Sequence, residues 1–545
     1  MKSRVRGVAA VIAAAAVVTV LPGLLAQQPY EWPLYGRDSA GTKYSPLKQI
    51  NTSNVSKLRR AWTYAGTEKG IGSPEITPIV AGGMMYISTP KQRVVALEPE
   101  TGKVIWEFDP KVDRPRHHRG VSYWPGVGRA RILHATSDGR LIALDAETGK
   151  PAPEFGSSGE VDLKPGAIDK FPTAWYAITS PPAIYKNLAF VGPELQEGPS
   201  TGPAGSIRAF DLRNGKELWT FYLAPRPGEP GHDTWLGESW KTGGAGVWNA
   251  GAYDPESNLV YYGTGNPAPD WDGRNRLGDN LYSDSVVALD ADTGKLKWHY
   301  QFTPHDELDY DSTQVPVLAD IQFAGRARKV MLWANRNGVM YVLDRTTGEF
   351  LKGKPFVKAN WLDGFDSKGR PNRVKFPTPE GTLIHPHVHG GINWAPTAFS
   401  PRTGWYYVAS WENSGTLAVE GQFPRAATAN GRQTAMGQTN LVPFYNNDTE
   451  PYGVVRAYDP KTLEPRWEHR MTDITWGGVL ATASDLVFSG GREGYFLALD
   501  ARTGTLLWRA SVGGQVNAGA MSYSVNGKQY VAVAAGNALF AYALP

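Results

Sequence analysis

Short apolar segments with strand-like alternation recur along the chain in one arrangement. An apolar run closes on an acidic residue, a turn built on Thr-Gly or its equivalent follows, and a second run ends on tryptophan. Ala96-Leu97-Glu98-Pro99-Glu100-Thr101-Gly102-Lys103 with Trp106 shows it first, and Ala143-Leu144-Asp145-Ala146-Glu147-Thr148-Gly149-Lys150 repeats it. Further copies run from Ala209-Phe210-Asp211 to Trp219, Ala288-Leu289-Asp290 to Trp298, Val342-Leu343-Asp344 to Leu351, Ala457-Tyr458-Asp459 to Trp467 and Ala498-Leu499-Asp500 to Trp508. Each copy predicts a β-hairpin whose turn glycine supplies a positive φ. A hairpin cannot bury its faces alone; stacking blades of about 40 to 50 residues radially buries a continuous core and leaves few free edges. The repeat therefore predicts an all-β chain folded as a β-propeller. The interval between Leu343 and Tyr458 has room for two blades, and Thr397–Gly404 followed by Tyr406-Tyr407-Val408 is a degenerate copy that brings the count to eight blades. A segment ending at Trp62 and the strands from Tyr530 to Tyr542 are placed to close the ring by sharing a blade. No linker, low-complexity stretch or long helix interrupts residues 28–545, which read as a single domain.

The first residues follow a different pattern. Lys2, Arg4 and Arg6 precede an apolar run from Val8 to Val20, and Leu24-Leu25-Ala26 resembles a cleavage site, so residues 1–26 read as a secretory signal peptide and the chain as periplasmic. The run is shorter than the roughly 20 residues that span a bilayer and is broken by Pro22 and Gly23, which argues against an anchor. Without the leader's three basic residues the formal charge falls from +4 to about +1, which offers nucleic acid no basic field. The chain has no cysteine, which excludes disulfides, thiolate metal sites, a cysteine nucleophile and the attachment of a c-type haem.

Chemistry concentrates in Gly-, Trp-, Asn- and Asp-rich insertions between the repeats. Gly263-Thr264-Gly265-Asn266-Pro267 is followed by Pro304-His305-Asp306-Glu307-Leu308-Asp309-Tyr310-Asp311 and then by Asn335-Arg336-Asn337-Gly338. An Asp-x-Asp loop or an Asn beside Pro is ordinarily a turn, but these motifs stand in order on the same repeat. Over nearly the whole chain beyond the leader the sequence resembles the pyrroloquinoline-quinone (PQQ)-dependent dehydrogenases of the alcohol/methanol and glucose types. The resemblance implies PQQ and a cation as cofactors: calcium, with magnesium or a lanthanide as alternatives. It implies Asn266 as an amide ligand of the cation, Asp309 as catalytic base and further ligand, and Arg336 as the cation beside the quinone carbonyls. Carboxylate and amide oxygens suit hard cations. Asp311 falls where lanthanide-using members carry an extra aspartate, although glucose-type members also resemble Asp-x-Asp here. A metal-binding glutamate is expected in Val191-Gly192-Pro193-Glu194-Leu195-Gln196-Glu197-Gly198; register favours Glu197, with Glu194 as the alternative.

For the flat cofactor the resemblance offers Trp248, reached through Gly243-Gly244-Ala245-Gly246, as a stacking floor. It also offers Glu75, Arg119, Thr136, Asn393, Trp394, Trp476 and Gly477 as cofactor contacts. The adjacent cysteine pair that alcohol-type members carry before the equivalent of Arg119 is replaced here by Asp113-Arg114. His385-Pro386-His387-Val388-His389 invites a zinc reading, but Pro386 argues for a loop, and lining of a substrate pocket suits the segment better. The expected activity is oxidation of a primary alcohol or an aldose hydroxyl, with electrons passed to an external acceptor such as a c-type cytochrome. The alternative is a non-catalytic propeller resembling outer-membrane assembly scaffolds; a hydrolase would need a paired acid and nucleophile, for which no motif is found.

Overall fold

A computed structural model describes residues 30–66, 74–197, 201–420 and 451–545. The expected leader, residues 1–26, lies outside the described residues. Eight sheets form the blades of a propeller: seven are four-stranded and antiparallel, and the one beginning at Leu480–Thr482 carries Tyr44–Ser45 as a fifth strand paired parallel to it. The first is Ile79–Ala81, Met84–Ser88, Val94–Leu97 and Val104–Phe108, and the second runs from Ser122–Trp124 to Glu160–Asp162. The third, fourth and fifth begin at Ala183–Tyr185, Ala252–Asp254 and Val317–Phe323; the sixth and seventh begin at Ala398–Ser400 and Leu480–Thr482. The eighth joins the two ends of the described chain: Met521–Val525, Lys528–Ala535 and Ala538–Ala543 are completed by Arg59–Tyr64, which pairs antiparallel with Ala538–Ala543. Helix among the described residues is limited to three short 3-10 turns.

Apolar side chains on the blade faces interlock with the next blade. Ile79, Tyr86, Val94 and Ala96 of the first pack with Ile132, Ile142 and Leu144 of the second in one buried cluster. The repeat's tryptophan and glycine make a second, peripheral joint. Trp62, Trp106, Trp219 and Trp467 donate their indole N–H to the backbone of the following blade's turn, at Pro99, Ala146, Ala291 and Ala501. Their rings lie over that turn's glycine, where a Cβ on Gly102, Gly149, Gly294 or Gly504 would meet indole carbons at 2.4 to 2.6 Å. All four glycines have φ between 69° and 73°, so conformation and space demand glycine together.

The expected two blades between Leu343 and Tyr458 are one. Ala398–Ser400 and Trp405–Glu412 are the first two strands of the sixth blade, and Tyr452–Tyr458 and Pro465–Arg470 are its last two. The Pro401–Gly404 turn joins strands one and two, whereas the Asp-Thr-Gly turns elsewhere join strands three and four, so the resemblance between the two turns does not mark a separate repeat. The eighth blade is the shared closure.

Candidate active site

Because strands alternate in direction, the connections between blades and those between strands two and three emerge on one face, and the repeat's Asp-Thr-Gly turns on the other. The residues singled out from sequence come from the first set. Glu75 precedes the first blade, Arg119 the second, Trp248 the fourth, Asp309 and Asp311 the fifth, Asn393 and Trp394 the sixth, and Trp476 and Gly477 the seventh. Thr136, Glu197, Asn266 and Arg336 follow second strands of the second to fifth blades.

Arg336 binds both aspartates of Asp309-Tyr310-Asp311: Nη2 pairs with Asp309 Oδ2 at 2.7 Å and Nη1 with Asp311 Oδ2. Its Nε donates to the Val388 carbonyl at 2.8 Å. The Asn335–Gly338 turn that presents it is locked by Asn337 N–H donating to Asn335 Oδ1 at 2.9 Å. Asp309 takes φ 57°, held there because buried Asp306 accepts the backbone N–H groups of Leu308 and Tyr310 at 3.0 and 2.7 Å. Asp311 Oδ1 accepts the Asn266 N–H at 2.9 Å. The Asn266 amide donates from Nδ2 to the Pro267 carbonyl at 3.1 Å, which leaves its buried Oδ1 without a partner.

Burial raises the Asp309 carboxyl well above the usual range, opposed by Arg336 and reinforced by Asp311. Burial raises Glu197 as well, with Asp311, Asp270 and Asp309 adding repulsion. The same cause lifts Asp270 and Asp306 to about 6 and Asp284 well above the ordinary value. Six carboxylates thus share a buried region with three guanidiniums, Arg336, Arg276 and Arg373, of which Arg276 is occupied by the carbonyls of Pro269, Asp270 and Asp306 and Arg373 by Glu307 and the His305 carbonyl. Buried like charges on this scale call for a compensating cation. Among the described residues no three histidine, aspartate or glutamate side chains stand close enough to close on an ion unaided. The donor set still fits a hard cation: carboxylates of Glu197, Asp309 and Asp311 with one orphaned amide oxygen.

Of the two candidate glutamates, Glu197 faces the acids. Glu194 instead pairs with Arg116 at 2.6 Å and His117 at 3.3 Å, and although burial opposes it, these partners hold its carboxyl well below the usual range.

Arg119 lies between two indoles, its guanidinium carbon 4.9 Å from the Trp248 ring and 5.0 Å from the Trp394 ring. It pairs with Glu75 at 2.9 Å and donates to the Trp248 carbonyl at 2.9 Å, which Ser180 Oγ also reaches at 2.6 Å. Flat aromatic walls around a guanidinium suit a planar group bearing carboxylates. The glycines before Trp248 also serve packing. Ala245 N–H donates to the Asn266 carbonyl and Gly265 N–H to the Gly246 carbonyl, at 2.8 and 2.7 Å, and a Cβ on Gly244 would meet Ala268 N at 2.6 Å. They let the tryptophan loop press against the Asn266 loop.

Other candidates are arranged more loosely. Thr136 is buried with its hydroxyl donated to Asp138 in its own turn. Asn393 Oδ1 accepts the Trp394 N–H at 3.0 Å, and Gly477 N–H donates to Thr475 Oγ1 at 3.0 Å. Trp476 meets Trp411 edge-on at 4.5 Å and His389 at 5.3 Å. The three histidines do not converge: the His385 ring bonds the Ser414 carbonyl, while His387 and His389 stand 5.3 Å apart near Arg336. A cavity of about 450 Å³ opens elsewhere, against Phe171, Tyr222 and Trp240, and contains none of these residues.

Sequence reading missed Asp270, Asp284, Asp306, Arg276 and Tyr310. Asp270 does sit in the Pro-Ala-Pro-Asp stretch after Asn266, but nothing in the sequence signals that its loop turns inward.

A family model described as PQQ: glucose/ethanol/alcohol dehydrogenase, beta-propeller domain, matches residues 32–353 and 367–531. The chain is 37% identical over 537 residues to the quinohemoprotein alcohol dehydrogenase of Comamonas testosteroni, covering 93% of this chain and 72% of that one. It is 35% identical over 548 residues to the quinoprotein alcohol dehydrogenase PedH of Pseudomonas putida, covering 94% and 87%. The crystal structure of the Comamonas enzyme matches with a TM-score of 0.81 at 33% identity, covering 94% of this chain and 80% of that one. A europium-containing methanol dehydrogenase matches with a TM-score of 0.79 at 28% identity, covering 95% and 99%.

Proposed function

The chain belongs to the PQQ-dependent dehydrogenase β-propeller family, and from that premise we propose that it oxidises a primary alcohol in the periplasm and passes the electrons to a separate carrier. The observation that carries this reading is the Arg336 bridge to Asp309 and Asp311, set beside the unpartnered Asn266 side-chain Oδ1. A scaffold gains nothing from burying so many acids around one arginine, whereas an oxidation site needs a base, a cation site and a fixed positive charge together. When bound, PQQ would supply the acceptor for a hydride equivalent, and the cation would supply Lewis-acid polarisation.

The chain's own residues do the rest. Asp309 takes the hydroxyl proton, and Arg336 orients that carboxylate while contributing positive charge where negative charge develops. Glu197, Asn266, Asp309 and Asp311 would hold the cation. Calcium fits these oxygens; Asp311 adds a charge suited to a trivalent ion, and one neighbouring structure is a europium-containing methanol dehydrogenase. Trp248 and Trp394 wall the cofactor slot, with Arg119 as the partner of a carboxylate. The curated relatives named above are alcohol dehydrogenases, which favours an alcohol over the aldose that sequence alone left open. These 545 residues hold no cysteine and so attach no c-type haem within the propeller, and the electrons leave it for an acceptor such as a c-type cytochrome.

The test is reconstitution of the purified protein with PQQ and, separately, calcium, magnesium or a lanthanide, followed by dye-linked oxidation of ethanol and glucose. Cation-dependent oxidation of ethanol is the expected result. Failure to bind the quinone with any ion would overturn the reading in favour of a scaffold.

A further inference from the structure

The His385–His389 segment is fastened to the Asp309–Arg336 pair from both sides. Tyr310, which lies between the two aspartates, donates its hydroxyl to the Pro386 carbonyl at 2.6 Å, and Arg336 Nε donates to the Val388 carbonyl at 2.8 Å. His387 stands between these two anchors and is only 6% exposed. Its Nδ1 accepts the backbone N–H of His389 at 3.2 Å, so that nitrogen carries no proton. Burial, with Arg336 adding to it, holds the ring's pKa down to about 4, so the imidazole is neutral near pH 7 and its proton sits on Nε2. That Nε2 is buried, and no described residue offers it an acceptor. A buried donor is normally paired, and one left open beside the reacting groups is a feature to which a ligand can respond. The adjoining surface is aromatic: His389 meets Trp476 at 5.3 Å and Trp411 at 5.9 Å, edge to face.

We propose that His387 Nε2–H is a specificity donor for a second oxygen on the substrate. The favoured class is then primary alcohols that carry an ether or hydroxyl oxygen a few bonds from the reacting carbon, with their hydrocarbon part against His389, Trp411 and Trp476. This rests on the dehydrogenase reading and deepens it. The donor faces an acceptor that plain alkanols lack, so it discriminates by an interaction and not by size.

The test compares 1-butanol with 2-methoxyethanol, two alcohols of equal length in which one methylene is exchanged for an acceptor oxygen. The holoenzyme is compared with His387→Leu, which removes the donor, and with His387→Gln, whose amide keeps one near the Nε2 position. The expected result is that the ratio of kcat/KM for 2-methoxyethanol to that for 1-butanol falls about 3- to 10-fold in His387→Leu, the size of one neutral hydrogen bond. The loss should appear in the KM for 2-methoxyethanol, and His387→Gln should restore the ratio. Equal losses on both alcohols, or an unchanged ratio, would overturn the proposal while leaving the dehydrogenase intact. If the wild type oxidises neither alcohol with PQQ and any ion, the dehydrogenase reading fails, and this one with it. Should His387→Leu not fold, 15N-histidine spectra of the wild-type holoenzyme keep the question open to disproof. Titration with 1,2-dimethoxyethane, an acceptor that cannot be oxidised, should shift the His387 Nε2 resonance, and no shift would overturn the proposal.

Discussion

The role proposed for Asp309 sets two requirements against each other: a base must be ionised to take a proton, yet burial here disfavours the charge. Arg336 at 2.7 Å offsets that cost, and in the proposed reaction the cation would offset it further. Asp309→Asn keeps shape and volume while removing basicity, so kcat should fall by about 10²- to 10⁴-fold with PQQ still bound, read from dye-linked turnover and cofactor absorbance. Loss of bound PQQ, or undiminished turnover, would take Asp309 out of the role of base. The two glutamates separate in the same way. Glu197→Gln removes a charge from among the acids and should weaken ion retention at least tenfold by metal analysis, whereas Glu194→Gln, at a side chain already paired with Arg116, should leave ion content unchanged. That Asn266, Asp309, Asp311 and Arg336 lie together was legible from sequence because their short motifs stand in order on neighbouring blades. Glu197 against Glu194 was not, because a three-residue offset in a loop with no strand periodicity gives no orientation. Asp270 and Asp284 were invisible for a related reason: whether a loop acid turns inward is decided by distant backbone, as where Asp284 N–H donates to the Gly265 carbonyl at 3.0 Å.

Elements read best where a complete interaction lies within one stretch of chain. Strands three and four of a blade, their turn and the terminal tryptophan form one contiguous hairpin, so the sequence announces them; inner strands are short, as at Ile79–Ala81 and Leu480–Thr482, and carry no turn motif of their own. That asymmetry is why Thr397–Val408 reads as an extra blade when it supplies only the inner half of the sixth. The tryptophan–glycine joint predicts a measurable coupling between neighbouring blades. Trp467, 9% exposed, packs over Gly504 of the next blade and donates to the Ala501 carbonyl at 2.9 Å. Trp467→Ala should cost about 3 to 5 kcal/mol in unfolding free energy. Gly504→Ala should cost about 1 to 3 kcal/mol, because its φ of 73° and the overlying ring both reject a Cβ. In the double variant the losses should fall short of additive, since each removes the same contact, and full additivity in denaturant unfolding would show that the two sites are independent.

The whole molecule is a ring whose hub is built from loops of seven blades and whose closure lies in the eighth, which contributes none of the site residues discussed. Arg59–Tyr64 pairs with Ala538–Ala543, so a strand near one end of the chain is held by the other end. Bringing such distant segments together carries a loop-closure cost that the paired strands and their packing must outweigh. Ligands at the hub bind only where the surrounding loops are in register, so their binding energy supports closure by mass action: about 2.7 kcal/mol at a free concentration 100 times Kd. Leu539 lies fully buried in the closing strand, opposite Tyr64. Leu539→Ala should therefore lower the melting temperature of the cofactor-free protein, at a cost of about 2 to 5 kcal/mol. PQQ with the preferred ion should raise it again, and a chelator should reverse the gain. The same variant should bind PQQ more weakly in proportion to the fraction of rings that are open, although no site residue has changed. If instead PQQ and the ion left the melting temperature of both proteins unmoved while binding was demonstrated directly, the hub would be decoupled from closure, and the ring would be a frame for the site with no energetic share in it.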